Sequence, residues 1–168
     1  KEILKLYDLS CKDVFGSTTV YFKSKENEVN KIVEFIEKGK DHPVLQAGLM
    51  QIEIIKLSPF ENATGRVAKL LTNLILAKHG YNLRGILTIE DYYREDLISL
   101  KQAQESIKKT NNATEWLSYF TLGIKKSMEK SLKAIEEQKI DRNTNSLWKL
   151  NKRQKEIYQF IVDTVDEK

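Results

Sequence analysis

Two segments that are apolar almost all the way round, residues 44–57 and 66–78, decide more about this chain than any other feature. In the first, Val44, Leu45, Ala47, Leu49, Met50, Ile52, Ile54 and Ile55 would cover much of the circumference of a helix. In the second, Val67, Ala68, Leu70, Leu71, Leu74, Ile75 and Leu76 do the same. Such a helix has to be enclosed, by protein or by lipid. Gln46, Gln51, Glu53 and Lys56 interrupt the longest apolar-rich stretch, so no segment reads as a membrane span and no membrane is expected. The two segments are therefore expected to form the central pair of an all-α domain.

The surrounding pattern supplies the enclosing helices. Ile3, Leu4, Leu6 and Leu9 mark an amphipathic helix within residues 1–15, and Val29, Ile32, Val33 and Ile36 mark another that ends at Gly39. Asp41 is expected to cap the first central helix ahead of Pro43. His79 and Gly80 close the second. Thr88 and Asp91 fit the start of a helix carrying Tyr93, Leu97, Leu100 and Ile107. Thr114 is expected to cap a long helix with Trp116, Phe120, Ile124, Met128, Leu132 and Ile135 on its core stripe. A last helix carries Ile157, Phe160, Ile161 and Val165. The β-branched and aromatic run at Thr18, Thr19, Val20, Tyr21 and Phe22 is the one strand candidate, which predicts a small β-hairpin flap near residues 18–28.

Charge excludes little. Twenty-eight basic residues stand against 24 acidic ones, a net charge of +4, and the two signs alternate as they do on solvated helix faces. The single cysteine, Cys11, excludes an internal disulfide and fits a reducing compartment. His42 and His79 are too few for a histidine-rich metal site. With no charged leader or cleavage site visible at Lys1, a cytoplasmic location is expected for what reads as a piece of a longer protein.

The segment joining the central helices is Ser58-Pro59-Phe60-Glu61-Asn62-Ala63-Thr64-Gly65-Arg66. Read for structure alone, Ser58 is an N-cap, Pro59 the first helical residue, Glu61 the reciprocal capping partner and Phe60 a core anchor. That reading leaves the second turn, with its glycine, redundant. A glycine opening an apolar helix leaves backbone N–H groups at a positive dipole end, where phosphates bind, and the Arg66 guanidinium adds a fork of donors.

This segment resembles the Fic (Fido) family, whose loop between two core helices reads H-P-F-x-[D/E]-G-N-G-R-x-x-R. His42-Pro43 before the preceding helix, the run Val20-Tyr21-Phe22, Tyr92-Tyr93 and Trp116-Leu117 with Phe120 fall at similar places. The resemblance covers about residues 1–140. After a polar linker at 141–148, residues 149–168 are expected to form a C-terminal helix. There Leu150-Asn151-Lys152-Arg153-Gln154 resembles the start of the winged-helix module that often follows such a domain.

The resemblance implies AMP transfer from ATP, with Mg²⁺, to a hydroxyl of a protein target lying along the flap at Val20, Tyr21 and Phe22. Thr64, Gly65, Arg66 and Lys69 would hold phosphates. Only Pro59, Phe60, Gly65 and Arg66 of the nine fixed positions keep the family's residue. Ser58 stands where the family has its histidine base, and a serine is no base near neutral pH. Asn62 stands at the acidic metal position, where it is a weaker ligand for a hard cation; Glu61 is the candidate substitute. Lys69 replaces the closing arginine and lacks its bidentate fork. His42 and His79 sit at the far ends of helices a dozen or more residues long and are not expected to reach the loop. The expectation is a Fic-like domain impaired or inactive in AMP transfer. The alternative is a regulatory module coupled to DNA through the C-terminal extension.

Overall fold

A computed structural model describes residues 2–11, 23–81, 87, 89–136 and 151–166. They form eight α-helices: α1 Glu2–Cys11, α2 Glu26–Lys38, α3 Pro43–Leu57, α4 Thr64–Lys78, α5 Ile89–Glu95, α6 Leu97–Thr110, α7 Thr114–Glu136 and α8 Lys152–Asp166. A 3-10 turn, Lys23–Lys25, leads into α2. The all-α class holds, and no described helix is long and apolar enough to cross a membrane. Of the expected flap, residues 23–28 are helical rather than a hairpin, and Val20, Tyr21 and Phe22 lie outside the described residues.

Helices α3 and α4 pack along one another at the centre, and each serves two cores. Val44, Ala47 and Ile52 of α3 join Leu76 of α4 in a cluster with Tyr93, Ala103, Ile107, Trp116, Phe120 and Ile124 from α5, α6 and α7. Met50 and Ile54 join Val67, Ala68 and Leu71 of α4 in a second cluster with Leu6 and Tyr7 of α1, Ile36 of α2 and Phe60. Two cores on opposite sides explain why both segments are apolar nearly all round.

Close approach of α7 to α3 depends on Gly48. A Cβ there would lie 2.9 Å from Phe120 Cδ1, and the Gly48 carbonyl accepts the Trp116 indole N–H at 2.8 Å.

Several helix ends depart from expectation, each for a local reason. Pro43 is the first residue of α3, so the cap falls on His42, whose Nδ1 accepts from the Val44 N–H at 3.4 Å; Asp41 lies one residue too early. The helix expected to run from Tyr93 through Leu97 is two helices. Asp96 leaves the helical conformation (φ −144°, ψ 83°) and accepts from the Ser99 N–H and hydroxyl at 2.9 and 2.6 Å, starting α6 anew. Leu97 is consequently 57% exposed rather than in the core. Thr114 is the first residue of α7 rather than its cap: the Ala113 carbonyl accepts the first helical bond from Leu117, and the Asn112 carboxamide oxygen accepts from the Thr114 N–H at 2.8 Å. On the α7 stripe Trp116, Phe120 and Ile124 are buried, and Leu132 is exposed.

At α8, Asn151 and Gln154 exchange backbone-to-side-chain bonds of 2.9 Å each, a reciprocal capping box. The helix packs on α1 and α4, and Arg153 donates from Nε to the Leu9 carbonyl at 2.7 Å.

Candidate functional site

The loop between α3 and α4 begins at a left-handed residue. Ser58 (φ 47°, ψ 63°) ends α3: its N–H reaches the Ile54 carbonyl at 2.9 Å and its hydroxyl donates to the Ile55 carbonyl at 2.9 Å. Ser58 is thus a C-cap and not the N-cap that its neighbours Pro59 and Glu61 suggest. The reason is Ala63, also left-handed at φ 59°, through which no helix can pass, so α4 starts afresh at Thr64. Pro59 takes the place after a C-cap where proline commonly stops a helix. Two further carbonyls at this end are met from 32 and 33 residues away. Lys25 donates from Nζ to the Leu57 oxygen at 2.7 Å and to the Ser58 oxygen at 2.9 Å. A cation there also meets the negative end of the α3 dipole.

Phe60 anchors the loop. It is 2% exposed and lies flat against the Tyr7 ring, with centroids 4.1 Å apart and planes at 6°. Thr64 donates from its hydroxyl back to the Phe60 carbonyl at 3.1 Å. The Ala63 carbonyl accepts from both Arg66 and Val67, at 2.9 and 3.1 Å. Among the described residues, the N–H groups of Thr64 and Gly65 have no partner. Gly65 has no left-handed backbone, and a Cβ there would find nothing within 4 Å. Among the described residues neither packing nor conformation requires glycine at this point; what the glycine provides among them is open space over two unpaired donors.

The other candidate residues divide. Arg66, Glu61 and Asn62 are exposed around the turn. Ala63 caps α4 without a side-chain bond, and the Ser58 N–H that a reciprocal Glu61 cap would take up is bonded to the Ile54 carbonyl. Lys69 sits one turn further along α4 with its ammonium 5.4 Å from the Tyr93 ring centroid.

Behind it lies a buried polar group that the sequence does not announce. The Tyr93 hydroxyl donates to Gln51 Oε1 at 3.0 Å, and Thr72 is 3.2 Å from the same oxygen. Burial pushes the Tyr93 hydroxyl pKa strongly upward, so it remains a donor. Burial, with Tyr92 and Asp96 nearby, raises Tyr119 to about 12.

His42 and His79 are where helix length places them. Fifteen residues at ~1.5 Å each put His42 about 20 Å from the loop, and its Nε2 is 2.9 Å from the Tyr81 hydroxyl. No base therefore approaches Ser58 from either histidine.

The donor set suits one part of the implied chemistry and not the other. Two free N–H groups and Arg66 at a helix N-terminus match phosphate oxygens. For Mg²⁺ the residues do not fit: Asn62 brings only a neutral carbonyl, and among the described residues no three His, Cys, Asp or Glu side chains converge as a metal site. Compared with family models, curated proteins and solved structures, the chain matches none.

Proposed function

We propose that this chain is a Fic-like helical domain that retains phosphate recognition at Thr64, Gly65 and Arg66 and has lost efficient AMP transfer to protein hydroxyls. The observation carrying this reading is the loop itself. A left-handed end to α3, a buried Phe60 and a glycine-bearing start to α4 join the two central helices with two N–H donors left unpaired. When bound, ATP would supply the AMP group. This chain's own residues contribute phosphate contacts and no base, because the Ser58 hydroxyl is committed to the Ile55 carbonyl.

General base catalysis is worth ~10²–10⁴ in rate, so its loss alone makes transfer slow. Calorimetric titration with ATP, with and without Mg²⁺, tests the binding half. Saturable heat that survives removal of Mg²⁺ is expected, and Arg66→Ala should weaken it far more than Lys152→Ala. Equal losses in both variants would mean diffuse electrostatics and would sink the site. The hydroxyl target expected along Val20, Tyr21 and Phe22 belongs to the same proposal.

A further inference from the structure

At the opposite end of α3 and α4 from the motif loop, helices α1, α2, α3, α4 and α8 line a cleft of about 530 Å³ that opens to solvent. Small-molecule sites span roughly 300–1,000 Å³.

Its apolar wall is half-buried Ile3, Val33, Leu74 and Phe160, backed by Leu6, Ile36, Met50 and Leu71, which are all less than a tenth exposed. The lining runs along α4 from Leu71 to His79, eight residues or ~12 Å, and changes character on the way. The deep end is apolar. The mouth is charged, with Lys40 and Lys78 set against Glu37 and Asp41, and His79 beside them. Scaled from the ~150 Å³ that admits one benzene, the volume takes about twenty non-hydrogen atoms.

We propose that this cleft binds one molecule of a single-chain amphiphile with a zwitterionic head. The tail lies along Ile3, Leu74 and Phe160, and the head lies at the mouth between the two lysines and the two carboxylates. A mouth in which neither sign predominates disfavours a head carrying one sign alone. This assignment stands independently of the motif loop.

Dodecylphosphocholine, kept below its micelle concentration, is the probe. Titrated calorimetrically into the whole chain, it should bind one-to-one and at least tenfold tighter than sodium dodecanoate or dodecyltrimethylammonium. Leu74→Trp, which narrows the cleft, should weaken binding at least tenfold. Lys40→Glu, at the exposed rim and away from the core, should turn the preference toward dodecyltrimethylammonium. It keeps the test decisive should the tryptophan variant fail to fold.

Absence of saturable heat overturns the site. Equal affinity for the three heads, or an unchanged preference in Lys40→Glu, overturns the head assignment. Flotation of the chain with phosphatidylcholine vesicles, without binding of monomers, would overturn it in favour of a membrane surface.

Discussion

Truncating Phe60 to alanine should cost about 4 kcal/mol of stability, because the ring is both a core side chain and the fixed point of the motif loop. It is 2% exposed and stacked at 4.1 Å on Tyr7. Emptying a buried aromatic site costs ~3–5 kcal/mol, within which the aromatic pair accounts for ~0.5–1.5. Domains of this kind are stable by only ~5–15 kcal/mol, so the variant would lose a large share of its margin. With m near ~2 kcal/mol/M, the urea midpoint should fall by about 2 M at unchanged slope. The thermal midpoint should fall by roughly 8–16 °C.

Far-UV circular dichroism in urea measures this directly. Phe60→Leu separates the two contributions: it keeps most of the volume and loses the ring stack, and should cost about 1–2 kcal/mol. Phe35→Ala, at a side chain 57% exposed, is the control and should change stability by no more than ~0.5 kcal/mol. A loss below ~1 kcal/mol for Phe60→Ala would refute the central placement of the loop.

Three further outcomes follow from particular contacts. Gly65→Ala should stabilise the fold by ~0.4–1 kcal/mol, since the helix accepts alanine and the space is open, yet cost about tenfold in ATP affinity by calorimetry. Opposite signs in one variant separate a ligand-reserved glycine from a structural one. Gly123→Ala should destabilise by ~1–3 kcal/mol in urea melts, because its Cβ would lie 2.5 Å from Tyr92 Cδ1. In alkali, Tyr93 and Tyr119 have raised folded pKa values, to about 12 for Tyr119. Their contribution is complete below the unfolded value of ~10 and is lost as pH rises through the folded values. Stability measured against pH should therefore decline above pH ~10, and a flat profile there would contradict the burial of these hydroxyls.

Much of the fold is legible in the residues. The apolar circumference of α3 and α4 announces their central place, and the stripe at Trp116, Phe120 and Ile124 announces the buried face of α7. Helix ends are less legible where a cap competes with continuity. A single apolar pattern runs from Tyr93 toward Ile107, and only the carboxylate of Asp96, accepting two bonds from Ser99, breaks it. Asn151 and Gln154 show the opposite case, a capping box readable at three-residue spacing but obscured by the likeness of that stretch to a winged-helix start.

In the site, proline and glycine mark the loop, and Phe60 reads as its anchor. The role of Ser58 does not, because whether serine caps the start or the end of a helix depends on the backbone at Ala63. Lys25 leaves no local signal at all. Its contribution comes from a tertiary contact with carbonyls that every residue possesses.

Whether the loop transfers AMP from a bound nucleotide is tested most directly with α-phosphate-labelled ATP. Incubated with Mg²⁺, the native chain should place no label on itself or on an added protein hydroxyl. Ser58→His alone should remain nearly silent, while Ser58→His with Asn62→Asp should label measurably and by more than the product of the single effects, as residues acting together do. Robust labelling by the native chain would contradict the proposed loss of transfer.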